Sequence, residues 1–441
     1  VELMRRWPLW IVLMLLLPLA LLIHSWLAPD SQLAAGAMTV ANRSSASFEQ
    51  PGGGLSPAER RRHGEADLLF DRTHVPHGGS ADAGLGPQFI ANSCIACHVR
   101  NGRGRATPEE ALVRIALRQA SGETPVPGLG QQVQDKAVLG AEPEARVRID
   151  WQNVARTGSA PLRRPAIELE APGQSLEPAA VARSLRLAPP LVGIGLLEAV
   201  PETTLSALAD PDDADHDGIS GRVHWLPDPA GGRRAGRYGW KAITASVREQ
   251  TAAAYLNDMG LTTPASGASD RTADGRPADI GNRELDLVTY YSQTLGAPRT
   301  GRPADSGVVR EGQRLMGDLS CARCHVPHLH TGSSATAAAA ALNGQTIWPY
   351  TDLLLHDMGP GLDDGVAELG AVSSEWRTAP LWGIGLTRRI NRQATYLHDG
   401  RARSLEEAIL WHGGEASGSR ERYLALAPRE RGALLHWLEQ L

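Results

Sequence analysis

Two Cys-x-x-Cys-His runs constrain this chain more than any other feature. They are Cys94-Ile95-Ala96-Cys97-His98 and Cys321-Ala322-Arg323-Cys324-His325, and they use all four cysteines of a 441-residue sequence. The pattern reads as c-type haem attachment, in which two thiols form thioethers to a porphyrin and the adjacent histidine becomes an axial iron ligand. Cys-x-x-Cys alone also suits a redox dithiol or half a zinc site. Two disulfides or a four-cysteine zinc site would leave His98 and His325 without a reason. Two covalently bound haem c groups are therefore expected, and dithiol redox chemistry is excluded because attachment consumes the thiols.

Arg5 and Arg6 precede an almost unbroken apolar run from Trp7 to Leu27. A charged start before an apolar stretch marks a signal or a membrane anchor. The run is long enough to cross a bilayer as a helix, and Pro8 and Pro18 are tolerable there. Arginines before it place the rest of the chain on the far side. The expectation is a periplasmic protein anchored to the inner membrane by residues 1–29, with cleavage near Ala34 to Ala37 as the alternative. Residues 30–83 read as a polar linker, with Ser45 to Gly54 as a flexible tether and a short surface helix near Arg60 to His63.

A net charge of −5 offers no broad basic surface for nucleic acid. With 47 glycines, 30 prolines and three phenylalanines, the chain reads as mainly α with long loops. Two cytochrome c-like haem domains facing each other are expected, the first at 84–302 and the second at 303–441. Helices are expected at Pro108 to Gln119, Leu285 to Leu295, Leu405 to Trp411 and Pro428 to Leu441, and Gly122 to Arg146 reads as loop. An internal repeat supports the duplication: Ala188-Pro189-Pro190-Leu191-Val192-Gly193-Ile194-Gly195-Leu196 matches Thr378-Ala379-Pro380-Leu381-Trp382-Gly383-Ile384-Gly385-Leu386. Its glycines would let backbone approach a flat porphyrin.

Several further motifs carry a family resemblance. They are Gly86-Pro87-Gln88-Phe89, Gly102-Arg103-Gly104, Gly239-Trp240-Lys241, Leu355-His356-Asp357-Met358-Gly359, Arg377-Thr378-Ala379-Pro380 and Tyr396-Leu397-His398-Asp399-Gly400-Arg401, then Ser404 to Ala408. In this order, over roughly residues 84–441, the chain resembles the bacterial di-haem cytochrome c peroxidase and MauG superfamily. It is most similar to the long-form, thiol oxidoreductase-like branch. The resemblance implies a di-haem oxidoreductase, with peroxidase activity on hydrogen peroxide expected and electrons supplied by a small cytochrome c or cupredoxin. A non-enzymatic electron-transfer protein and a MauG-like oxidase of another substrate are the competing readings.

His98 and His325 are the expected proximal ligands. The resembled peroxidases place a methionine on the helix after the His-Asp-Gly motif, and His412 stands at that position here. His412 is thus the candidate sixth ligand of the second haem, with His356 and Met358 as rivals. No histidine or methionine lies between His98 and Pro190, so the first haem is expected to be open or closed from afar by His74, His77 or His356. His398 is expected beside the second haem without binding it. Arg377 and Arg401 are candidates to hold propionates. The resemblance implies an interhaem tryptophan, for which Trp240 is favoured over Trp348, Trp376 and Trp382. Asp213, Asp215 and Asp217 before Gly218 open like a calcium loop. His224 stands at its twelfth position where a glutamate is usual, and the resemblance implies a calcium between haem domains.

Overall fold

The computed structural model describes residues 33–76, 83–119, 122–154, 161–173, 176–177, 179–265, 277–301, 307–333 and 338–441. Six helices organise it: α1 Pro57–Phe70, α2 Val247–Met259, α3 Asn282–Thr294, α4 Gly307–Asp318, α5 Leu405–Trp411 and α6 Pro428–Leu438. Local chemistry starts them. The Ser56 hydroxyl accepts from the Glu59 N–H, the Glu59 carboxylate accepts from the Ser56 N–H, and Pro57 takes the first helical position. Gly260, at φ +67°, closes α2 in the left-handed conformation that glycine permits. Ala66 and Phe70 of α1 bury against Leu285, Val288 and Tyr291 of α3. Val309 and Leu315 of α4 do the same with Leu434 and Leu438 of α6.

The two halves of the chain repeat one another. Gly193 and Gly383 have φ of +70° and +73°. Their N–H groups donate to the Leu295 and Leu441 carbonyls at 3.1 and 2.9 Å. A Cβ at Gly195 would lie 2.2 Å from the Gln293 carbonyl oxygen, and one at Gly385 would lie 2.1 Å from that of Glu439. These glycines therefore seat the repeated segments on the C-terminal ends of α3 and α6. The same two segments also line the central cavity, through Pro189 to Val192 and Ala379 to Gly383.

A second repeat follows the first. The turn at Tyr238-Gly239-Trp240 bridges Tyr238 to Thr244, and the turn at Tyr396-Leu397-His398 bridges Tyr396 to Ala402. Gly239 and Leu397 are both left-handed, at φ +74° and +67°. Each turn runs into a serine cap: Ser246 accepts from the Glu249 N–H at 3.2 Å, and Ser404 from the Glu407 N–H at 3.1 Å. Trp240 and His398 thus occupy equivalent positions, as do α2 and α5. Counting back from Pro190 and Pro380, Leu187 matches Arg377. The Leu187 N–H donates to the His398 carbonyl at 2.8 Å, and the Arg377 N–H to the Trp240 carbonyl at 2.9 Å. Each half holds the other's turn by the same contact.

Several expectations are corrected here. The fold is mixed α/β, with several helices and small sheets, rather than mainly α. Pro108 to Gln119 holds strand β1, Ala111–Gln119, which pairs antiparallel with β4, Val181–Leu187. Its Val113 and Ile115 alternate with half-buried Leu112 and Arg114, a period of two that a helix cannot bury. Thr107 closes only a turn, accepting from Glu110 and Ala111. The stretch expected as loop carries the short strands Gly122–Thr124 and Lys136–Ala137. Beyond it, β2 (Arg146–Val154) and β3 (Leu162–Glu170) form a hairpin. Val147, Ile149, Ile167 and Leu169 pack it on β1 and β4, while Leu162 reaches the core around Tyr396 and Leu405.

The expected tether is also packed. Phe48 is buried in a core shared with Leu196, Trp382 and Leu386, because an aromatic ring there covers apolar surface of both repeats. The expected inner-membrane anchor is corrected as well: among the described residues no helix is long and apolar enough to cross a membrane. The apolar run 7–27 lies outside the described residues, as does His77.

Candidate functional site

Both Cys-x-x-Cys-His runs open into one cavity of about 490 Å³. Burial raises the thiols of Cys94 and Cys97 to about 12 and that of Cys321 to about 11. No disulfide joins them, and burial favours the neutral thiol over the thiolate. His98 and His325 stand beside them. Burial lowers both imidazoles to about 4, so both are neutral, the form that binds a metal. The Tyr350 carbonyl accepts from Nδ1 of His325 at 2.9 Å, which leaves Nε2 for a metal. Nδ1 of His98 is buried without a well-formed hydrogen bond, although the Pro189 and Gly102 carbonyls lie near enough to act on it.

His412 faces His325 across the cavity, with ring centroids 6.5 Å apart. Two metal–imidazole bonds of about 2 Å, with the ring radii added, place centroids roughly 6 Å apart. Nδ1 of His412 donates to the Ala408 carbonyl at 2.8 Å, again leaving Nε2, and burial lowers its pKa. Its rival His356 has both nitrogens occupied. Nε2 meets Asp352 at 2.8 Å and Nδ1 meets Glu415 at 2.7 Å. Burial pulls its pKa down, but Asp352, Cys324 and Glu415 outweigh burial and push it up to about 12. A charged imidazole clamped by two carboxylates has no lone pair for iron. Met358 lines the same cavity.

The helix that presents His412 has its counterpart in α2. Leu405, Ala408, Ile409 and His412 line the cavity, and so do Val247, Gln250, Thr251 and Ala254. Counting from the capping serines Ser404 and Ser246, these are equivalent positions, and Ala254 stands where His412 stands. One turn further along α2, on the same face, Asp258 also lines the cavity. Burial raises its carboxyl to about 6, against the lowering effects of Gln132 and Arg114. Gln132 donates to it at 2.8 Å. Gln250 Oε1 accepts from the Thr244 hydroxyl at 2.9 Å, which leaves the amide NH₂ as a donor.

Between the motifs stands an aromatic wall. His398 stacks on Trp376 at 3.7 Å with an interplanar angle of 9° and meets Trp240 edge-on at 6.4 Å. Burial, then Arg401, Arg186, Lys241 and Arg103, hold His398 well below its ordinary pKa, and its Nε2 is buried without a hydrogen bond. Trp240 donates Nε1–H to the Leu187 carbonyl at 2.8 Å. Lys241, fully buried, places Nζ 3.9 Å from the Trp376 ring centre and donates to the carbonyls of Val372, Ser373 and Glu375.

The remaining sequence candidates separate. Arg377 lines the cavity, whereas Arg401 is taken by Asp399 at 2.7 Å and lies outside its wall. His74 is buried edge-on to Tyr255 at 6.0 Å and is not part of that wall. Asp213 and Asp215 gather with Asp210, not with Asp217, closely enough to share a cation. Asp217 instead pairs with Arg323 at 2.9 Å. His224 lies away from this loop, bonded to the Lys241 and Leu369 carbonyls. Sequence reading missed Ala254, Gln250 and Asp258. Aligning Ser246 with Ser404, as Pro190 was aligned with Pro380, would have found Gln250 and Ala254, whereas Asp258 is marked only by its burial in the cavity wall.

The donor set fits haem: paired thiols, a neutral imidazole beside each pair, and a second imidazole at metal-bridging distance from His325. The chain belongs to the family described as "Di-haem oxidoreductase, putative peroxidase", which it matches over residues 30–122 and 173–441. The intervening residues 123–172 carry the β2–β3 hairpin. Among solved structures it is similar to hydrazine synthase of Kuenenia stuttgartiensis pressurised with xenon, at 14% identity, covering 89% of this chain and 94% of that one, with a TM-score of 0.35. No curated protein matches.

Proposed function

We propose that the chain carries two covalent haems c in facing units, 84–302 and 303–441, and reduces hydrogen peroxide. A small cytochrome c or cupredoxin supplies the electrons. The observation that carries this reading is the pair of equivalent helix positions, His412 on one side and Ala254 on the other. His325 and His412 would close the second site for electron transfer. His98 would hold the first, and Ala254, at the position equivalent to His412, would supply no second ligand. Haem, when bound, supplies electron transfer and, where a position is free, cleavage of the O–O bond.

The chain's own groups handle the protons. Asp258 takes the proton from one peroxide oxygen and returns it to the other, general acid–base work suited to a carboxyl poised near 6. The Gln250 amide would donate a hydrogen bond to the peroxide. Two electrons and two protons turn each peroxide into two waters, so the donor must be used twice. Trp240 and His398 form the contact between the two sites. Asp210, Asp213 and Asp215 are proposed to hold calcium, and Arg323 ties that loop to the second motif through Asp215 and Asp217. Binding to the folded state alone would stabilise it, so chelation should lower the melting temperature, and an unchanged melting curve would remove the calcium.

The test is cyanide titration of the ferric holoprotein. One haem, the first, is expected to be high-spin and to bind cyanide, and Ala254→His should make it low-spin and stop peroxide turnover. His412→Ala should open the second haem to cyanide. Two low-spin haems inert to cyanide in the parent protein would end the peroxidase reading.

A further inference from the structure

Arg103, Arg237 and Arg377 all line the cavity, at 9%, 5% and 8% exposure. None forms an ion pair among the described residues. Their hydrogen bonds go to backbone carbonyls: Arg103 to Leu397, Arg237 to Leu197, and Arg377 to Gly239 and Thr378. Nε of Arg103 is buried with no partner at all. Burial lowers all three, Arg103 and Arg377 to about 10, with no carboxylate near enough to reverse it.

The cavity's own anions are already spoken for. Glu110 is paired with Arg105, Glu368 with Arg114 and Arg186, and Asp258 accepts from Gln132. Asp364 is paired with Arg186. Buried charges are ordinarily paired, and an unpaired buried guanidinium is a fork of donors waiting for a carboxylate. The wall therefore carries a positive surplus that the chain itself does not neutralise.

The three also share a place. Arg103 lies over the Trp240 ring at 5.2 Å. Arg377 donates to the carbonyl of Gly239 at 3.1 Å, and Arg237 precedes Tyr238 at the start of that turn. All three surround the turn at which the halves meet.

We propose that Arg103, Arg237 and Arg377 anchor haem propionates, so that the propionate edges of both haems converge on the Trp240 turn. This rests on the reading that each Cys-x-x-Cys-His run carries a haem. Two haems bring four propionates, enough for one carboxylate on each arginine. Arg401, already paired with Asp399, is not part of the set.

The experiment measures haem midpoint potentials against pH in the holoprotein and in Arg103→Met, Arg237→Met and Arg377→Met, with intact mass first confirming two haems. Loss of an anchoring cation should raise the propionate's pKa into the measured range. The potential of one haem should then fall below the parent's at high pH and acquire a slope with pH that the parent lacks. The matching lysine variant should restore much of the parent curve, which a merely structural role would not predict. If a methionine variant fails to fold, the glutamine variant at that position carries the test, since its neutral amide also removes the anchoring charge and should shift the curve in the same direction. Parent-like potentials and pH profiles in all folded variants with two haems attached would overturn the assignment. Absence of haem from either motif would instead overturn the underlying reading.

Discussion

Asp258 shows how much one buried group decides. Its carboxyl is raised from 3.8 to about 6 chiefly by burial, so the folded state holds its proton where the unfolded chain has lost it. Its contribution to stability therefore declines as pH rises through that window, the reverse of a salt-bridged aspartate. Activity should run the other way. Taking a proton from peroxide needs the ionised form, so the rate of peroxide reaction should rise as pH passes upward through about 6. Asp258→Asn should flatten that profile and lower the rate by roughly 10²-fold or more, while cyanide binding to the first haem persists. A stopped-flow pH series on both proteins checks it, and an unchanged profile in the variant would remove Asp258 from the chemistry.

At the scale of elements, the repeated Pro/Gly segments act as sockets for helix ends. Gly195 meets the Gln293 carbonyl of α3 and Gly385 the Glu439 carbonyl just beyond α6, both closer than any side chain permits. Gly195→Ala should force the segment off α3 and cost about 1–3 kcal/mol, the usual penalty of overpacking a close contact. Gly385→Ala should cost a similar amount. Gly432, which has open space at its Cβ position, should accept alanine with little change. Chemical denaturation of the three variants gives the comparison. Equal stability in all of them would mean the sockets yield.

At the scale of the molecule, a buried ion cluster joins the sheet of the first half to the second half. Arg186 of β4 meets Asp364 at 2.6 Å and Glu368 at 3.1 Å, and Arg114 of β1 meets Glu368 at 2.8 Å. Burial alone would raise Glu368, but Arg186, Arg114 and Lys241 outweigh it and hold the carboxyl below its ordinary range. Its contribution is therefore present above the unfolded value near 4.5 and is lost as pH falls through the lower folded one. Glu368→Ala leaves two guanidinium groups short of a partner and should cost about 3–5 kcal/mol at neutral pH. The variant should also lose part of the parent's acid sensitivity. Urea unfolding at neutral and acid pH would show both effects, and a variant as stable as the parent would mean the halves are held by their apolar core alone.

The sequence by itself determined what is written locally. Cys-x-x-Cys-His fixes thiols and imidazole on one turn whatever surrounds them. Ser56, Ser404 and Pro428 start helices through contacts within four residues, and the Pro190 and Pro380 repeat exposed the duplication. Only the tertiary structure decided which long-range partners each group meets. Leu112 and Arg114 alternate with Val113 and Ile115 in a strand because β4 and the hairpin cover them, and no capping signal at Thr107 could compete with that burial. His356 looked like a ligand until Asp352 and Glu415 closed on both nitrogens, whereas His412 keeps one nitrogen free because Ala408 holds the other. Arg401 was lost to Asp399, two residues along the chain, while Arg377 stayed unpaired in the cavity. The physical reason is common to these cases: burial and charge pairing depend on residues far apart in the chain, and only the folded arrangement settles which of them come within reach.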